Sequence, residues 1–389
     1  MDTRGTVDFT NTAVAFAHKS DRGLKKARLL FKSFDFPILL KWGPAMARAA
    51  VFLGMKGIIR NTIFEQFCGG ETIEESMGTV SRLQSSGIGT ILDYSVEGEE
   101  REEVFEHTCA EILQTIERAR GNAAIPFSVF KTTGIIRFAL LEKVSAKATL
   151  TEAERQEWDR ATRRFEGICK SAHDSGVRVF VDAEESWIQP AIDALTEEMM
   201  EKYNMQRAIV FNTIQLYRHD RLEYMKHVIT GAVHYLGFKL VRGAYMEKER
   251  ERASALGYAS PIQPDKAKCD KDYNEALLTC IHHIDRVSVC AGTHNEESSL
   301  LGTRLMAEKG LSPDDERVWF SQLLGMSDHI SYNLAHAGYN VAKYVPYGPV
   351  TAVIPYLTRR AQENTSAKGQ AGRELSLIET ELKRRKTNS

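Results

Sequence analysis

The segment YLTRRAQEN, from Tyr356 to Asn364, sets two guanidiniums side by side. On a helix, Tyr356, Arg359, Arg360 and Glu363 follow an i, i+3, i+4, i+7 pattern and share one face. That is the spacing of an apolar stripe, filled here with phenol, guanidinium and carboxylate. Paired guanidiniums suit two-point capture of a carboxylate or phosphate. The plain alternative is a solvated face with an Arg359–Glu363 pair, worth about 0.2–0.5 kcal/mol. A second set of polar residues ends short apolar runs along the chain: Asp93, Lys131, Asp182 with Glu184, Asn212 with Gln215, Arg242 with Tyr245, Thr293 with His294, Gln322 and Tyr344. Lys131 would add a third positive charge for an anionic ligand. Tyr245, Tyr344 and Tyr356 offer walls for a compact ring or a planar cofactor. Asp182 and Glu184 could counter the cations or act as acid and base. For Asp182, a pair with a neighbouring lysine is an equally good reading.

The apolar runs themselves read as strands at 88–93, 126–131, 177–182, 208–212, 238–242, 287–292, 317–321 and 341–345. They are apolar along nearly their whole length, which predicts parallel pairing with both faces covered. Amphipathic stretches such as REEVFEHTCAEILQTIERAR and DRLEYMKHVITGAVHYLG separate them. Eight such units over residues 87–366 predict an α/β fold, a (βα)8 TIM-type barrel. Barrels carry their chemistry at the C-terminal strand ends, so the polar endings would line one mouth. The helix bearing YLTRRAQEN follows the last strand and would lean over that mouth. Residues 1–86 read as an N-terminal helical region and 367–389 as a helical tail, frayed at ELKRRKTNS. Thr151 is a fitting N-cap for one long helix, TLTEAERQEWDRATRRFEGICKSAHDSG. Pro355 would cost about 3 kcal/mol inside a helix, so the last barrel helix is expected to begin or kink there.

Composition narrows the classes further. The 389 residues are 43% hydrophobic and 26% charged, as in ordinary globular proteins, and the net charge of −1 gives no footprint for nucleic acid. Six cysteines are scattered without a C-x-x-C pair, which favours reduced thiols over disulfides or zinc. The opening residues lack the apolar core of a signal peptide, and no run reaches ~18 apolar residues. A soluble, cytoplasmic protein is expected. Dinucleotide-fold, P-loop, zincin and nucleophile-elbow motifs are absent. His282 and His283 read as surface or core-edge residues, His294 in GTHN as a ligand contact, and no metal site is expected.

KLVRGAYMEKER together with YLTRRAQEN resembles the proline dehydrogenase family, flavoenzymes that oxidise L-proline to pyrroline-5-carboxylate, the first step of proline catabolism. LDYSVE, FKTTG, VDAEESW, FNTIQLYR, AGTHNEES, QLLGMSD and KYVPYGPVTAVIPYLTRRAQEN follow the family's order, and FEQFCGGET is similar to its single-function, mitochondrial-type branch. No second, aldehyde dehydrogenase domain is expected. The resemblance implies a distorted (βα)8 barrel holding FAD at the strand C-termini. It implies that Lys131, Arg359 and Arg360 bind the proline carboxylate, and that Leu323, Tyr344 and Tyr356 wall the ring. Ala183, Gln215, Val241, Arg242, Gly243, Ala244, Thr293 and His294 match cofactor-binding positions, and Glu363 a carboxylate near the flavin. Asp182 matches the active-site aspartate. Lys239 stands where many bacterial members carry a catalytic or flavin-tuning arginine; it keeps the charge and loses the planar fork. The resemblance also implies a membrane quinone as electron acceptor and peripheral contact with the inner membrane, for which residues 36–60 are the candidate segment. The base for the substrate amine stays open between Asp182 and water. The rivals are 4-hydroxyproline dehydrogenase, which Tyr344 should disfavour by crowding a ring hydroxyl, a Schiff-base aldolase using Lys131 or Lys239, and a non-catalytic carboxylate-binding barrel.

Overall fold

The computed structural model of the chain describes residues 7–33, 56–95, 100–366 and 370–387. Eight strands close into one barrel in sequence order: β1 (Ile88–Tyr94), β2 (Phe127–Lys131), β3 (Arg178–Asp182), β4 (Val210–Gln215), β5 (Leu236–Val241), β6 (Val287–Gly292), β7 (Val318–Leu323) and β8 (Val341–Tyr347). Every expected strand is present. β4, β7 and β8 run further than their sequence patterns suggest, so Gln215 and Gln322 lie within strands rather than after them, and Asn212 and Tyr344 lie in strand interiors. The chain packs as two compact units, residues 98–321 and residues 1–97 with 322–389.

Within residues 98–321, parallel register runs from β2 to β7. Phe127 and Phe180 stack at 4.4 Å, and Phe211 meets Phe180 edge-on at 5.4 Å. Such stacking and edge contacts are favoured by the ring quadrupoles. The long helix forms as its cap signal demands: Glu152–Ser175 begins with a capping box between Thr151 and Glu154 and ends at Gly176 in a left-handed conformation. Behind β4, Asp193 of the helix Gln189–Tyr203 accepts two bonds from Arg221 at 2.7 and 2.9 Å, one from Gln189 and one from Asn212. Asn212 therefore serves the helical layer, because successive strand residues face opposite ways.

Within residues 1–97 and 322–389, β1 pairs with β8. Leu24, Ala27 and Phe31 of the helix Asp21–Ser33 join Phe64, Phe67, Tyr356, Leu357, Leu377, Ile378 and Leu382 in one apolar cluster. The helix Ile354–Ser366 places Pro355 in its first turn, where a missing N–H costs nothing, so the helix begins there. The last helix, Gln370–Thr387, is tied down rather than frayed: Arg384 and Arg385 both donate to the buried Glu381, and Arg385 also reaches the carbonyls of Phe16 and Lys19. Of the candidate membrane segment, residues 36–55 lie outside the described residues. Among the described residues no helix is long and apolar enough to cross a membrane. All six cysteines are free and buried.

Candidate active site

Strand alternation decides which polar residues can meet. Lys131 and Asp182 are register partners across β2 and β3, and Lys239 pairs with Thr213 on β4 and Cys290 on β6. In a parallel pair, partners point to the same face, so Lys131, Asp182, Thr213 and Lys239 share one. There the Lys239 ammonium donates to Asp182 Oδ1, while Lys131 Nζ stands 3.9 Å from Oδ2. Lys239 also lies 5.3 Å from the centre of the Phe180 ring. Two ammoniums thus converge on one carboxylate, leaving these three groups with a net charge of one plus. The ion-pair reading of Asp182 holds, and it belongs to a strand-end cluster.

Glu184 sits two residues beyond, fully buried. It accepts Thr133 N at 2.9 Å and Thr133 Oγ1 at 2.5 Å, and its own N–H goes to Gln189 Oε1 at 2.8 Å. Burial pushes its carboxyl up to about 7, against the Thr133 bonds that pull it down. The sequence singled out Glu184 as an acid or base but gave no hint of its partner in the turn after Lys131.

Apart from Glu363, the residues expected to hold FAD lie at the ends of β3 to β6. Arg242 Nε donates to Asp270 at 2.7 Å, and its two terminal nitrogens donate to Thr293 Oγ1 at 2.7 Å and Ser298 Oγ at 3.0 Å. Its guanidinium also covers the Tyr273 ring at 4.4 Å. Burial would raise the Asp270 carboxyl, but Lys266 and Arg242 outweigh it and hold it below its usual range. Gly243 has φ +135°, and a Cβ there would come within 2.4 Å of the Tyr217 ring, so only glycine lets the backbone pass. Ala183 is buried, Val241 and His294 are half-buried, and Gly243 and Ala244 are exposed. Among the described residues the buried Gln215 Oε1 has no hydrogen-bond partner. A buried acceptor at the end of β4 and an exposed glycine just past β5 fit a polar heterocycle that donates a hydrogen bond.

In residues 322–389 the helix Ile354–Ser366 is not a solvated surface helix. Tyr356 is 5% exposed and Arg360 6%, with the Arg360 guanidinium 5.0 Å from the centre of the Tyr356 ring; Arg359 is half-buried. The backbone of Glu363 continues the same helix. Tyr344 is buried within β8, and its carbonyl accepts Leu324 N at 2.8 Å, next to the half-buried Leu323. Gln322 turns the other way, its Oε1 accepting Ser331 Oγ at 2.7 Å from the helix Asp328–His336. Unforeseen was Lys343, fully buried on the opposite face of β8 from Tyr344 and bonded to Asp328 at 2.9 Å. Its signal was a lysine inside the apolar run VAKYV.

A model of the family described as proline dehydrogenase matches residues 76–373. The carbapenem antibiotics biosynthesis protein CarD of Pectobacterium carotovorum is 37% identical over 82% of this chain and 83% of its own length. Human mitochondrial proline dehydrogenase 1 is 43% identical over 60% of this chain, but the match spans 40% of the human protein. A hydroxyproline dehydrogenase of Xenopus laevis is 32% identical over 99% of this chain and 91% of its own. Among solved structures, the proline utilization A protein of Bdellovibrio bacteriovorus superposes with a TM-score of 0.73 over 93% of this chain and 42% of that one. At 18% identity, that likeness speaks for the barrel fold alone.

Proposed function

The chain belongs to the proline dehydrogenase family, and on that premise we propose that it oxidises L-proline to (S)-1-pyrroline-5-carboxylate with FAD as cofactor and a membrane quinone as final acceptor. One observation supports this most: a buried guanidinium stacked on a tyrosine, with a second guanidinium beside it, on a helix that could have been solvated. Two adjacent guanidiniums, one of them held against a phenol ring, offer the planar, charge-assisted donors that match a carboxylate. Arg359, Arg360 and Lys131 bind the substrate carboxylate and so fix the ring's orientation. Leu323, Tyr344 and Tyr356 wall the ring and keep water from it.

Gln215, the segment Val241–Ala244, Ala183 and the pair Thr293–His294 would hold the flavin, with Glu363 nearby. When bound, FAD supplies the acceptor for the hydride that leaves the ring carbon beside the amine. The amine gives up a proton in the same oxidation, leaving a C=N bond. Lys239 is the catalytic cation: it keeps positive charge where the electrons arrive. Asp182 holds Lys239 in place, with Lys131 on its other oxygen, and can take the amine proton directly or through water.

The test is a spectrum of the purified holoenzyme. Proline added without oxygen should bleach the flavin band; an unchanged band overturns the proposal. Arg359→Ala and Arg360→Ala should each raise KM for proline far more than they lower kcat. A second reading, oxidation of 4-hydroxyproline, draws on the Xenopus relative that matches almost the whole chain. Steady-state kinetics on both substrates separates them, and a higher kcat/KM for hydroxyproline selects the second.

A further inference from the structure

The turn from Leu323 to Asp328, which joins β7 to the helix Asp328–His336, contains two residues in left-handed conformation. Gly325 has φ +75°, and a Cβ there would lie 2.1 Å from the carbonyl oxygen of Gln66. Ser327 has φ +50° without being glycine, a conformation that persists only where the surroundings impose it. Buried polar groups impose it here. Lys343 donates to Met326 O at 2.6 Å, to Leu323 O at 3.3 Å and to Asp328 Oδ1 at 2.9 Å. Gln66 Nε2 donates to Gly325 O at 2.9 Å. Glu374, from the last helix, accepts the N–H of Ser327 itself. On its far side Asp328 meets Lys19 at 3.0 Å and His18 at 3.6 Å.

Lys343, Glu374 and Asp328 are all buried, so segments from both ends of the chain converge on one six-residue turn. That turn starts at Leu323, and Leu324 N is bonded to Tyr344 O at 2.8 Å. The position of the turn therefore sets the spacing between Leu323 and Tyr344, two of the three residues assigned above to the substrate ring. We propose that Glu374 is a positioning residue: it latches the Leu323–Asp328 turn to the last helix and thereby sets the fit of the Leu323–Tyr344 wall around the ring. Discrimination between an unsubstituted and a 4-hydroxylated ring then depends on a helix that follows the barrel. The inference rests on the ring-wall assignment made under Proposed function.

The experiment uses the full-length holoenzyme and its variants Glu374→Ala and Glu374→Gln. It measures kcat/KM for L-proline and for trans-4-hydroxy-L-proline, with thermal unfolding in parallel. E374A should move the ratio of the two by about five-fold toward unity, the equivalent of one lost hydrogen bond, mainly through KM. E374Q should restore the ratio, because an amide oxygen still accepts the Ser327 N–H. A ratio unchanged in E374A, with only the unfolding temperature lowered, overturns the inference while leaving proline oxidation standing. Wild-type protein inactive on both rings overturns both. If E374A does not fold, Ser327→Gly loosens the same turn without removing a buried carboxylate. A shifted ratio there supports the latch and an unshifted one refutes it.

Discussion

Two clusters in this protein have the same composition, two lysines around one aspartate, and do different work. Lys131, Asp182 and Lys239 stand at strand ends in residues 98–321, with Lys131 3.9 Å from the carboxylate. Lys343, Asp328 and Lys19 sit in the other unit, where Lys343 spends its donors on two carbonyls and the carboxylate. Burial would raise the Asp328 carboxyl, yet Lys19, Lys343 and His18 together hold it well below its usual range. Burial also leaves the Lys343 ammonium below its usual value. The second cluster is a closed network that holds a turn. The first gathers its charge at the C-terminal ends of β2, β3 and β5, where the proposed site lies. Residue type does not separate the two; strand face does. Lys343 alternates with Tyr344 and so faces away from the side that Tyr344 occupies.

The sharpest way to break this comparison is to remove one lysine from each cluster. Lys343→Met leaves two buried carbonyls without their donor and Asp328 with Lys19 and His18 only, and should lower the free energy of unfolding by about 2–4 kcal/mol, read from urea midpoints. A loss below 1 kcal/mol would show that the closed network is not what holds the turn. Lys239→Met should instead cost kcat, by about 100-fold, as loss of one preorganised electrostatic group does. Rapid-mixing measurement of flavin bleaching checks it. A variant that bleaches at the wild-type rate removes Lys239 from the chemistry.

Much of the barrel was legible because parallel strands buried on both faces leave long apolar runs, and all eight were visible. Their ends were less so. Asn212 and Gln322 looked like mouth residues until β4 and β7 proved longer, and a shift of one residue turns a side chain to the other face. Tyr356, Arg359 and Arg360 were legible as a face from their spacing, though spacing alone could not tell a buried face from a solvated one. The Glu374 and Lys343 contacts were beyond reach, because they join residues 47 and 17 positions away in sequence, to Ser327 and Met326. No local pattern encodes such a pairing.

Glu184 sharpens the comparison from within the first cluster's own neighbourhood. Its carboxyl keeps its proton up to about 7 in the folded protein, against 4.5 for the unfolded chain, chiefly through burial. Between those values the folded state binds more protons, so this contribution to stability is full below pH 4.5 and is lost as pH rises through 7. Wild type should therefore lose roughly 2 kcal/mol more than Glu184→Gln between pH 5 and pH 8, read as the difference in urea midpoints. Equal pH slopes in the two proteins would show that Glu184 does not titrate there.

The smallest stability effect belongs to Lys131, and that smallness is informative. Its side chain is 19% exposed and its ammonium stands beyond hydrogen-bond reach of Asp182. Asp182 keeps its closer bond from Lys239 when Lys131 is replaced, so Lys131→Gln should leave the urea midpoint nearly unmoved. If the ammonium serves the substrate carboxylate, the same substitution removes a charge-assisted bond and should raise KM for proline about ten-fold with kcat little changed. A residue that is cheap for the fold and dear to binding marks a functional cluster. The reverse pattern, a clear stability loss with an unaltered KM, would make Lys131 a partner of Asp182 alone and reduce the two clusters to the same kind.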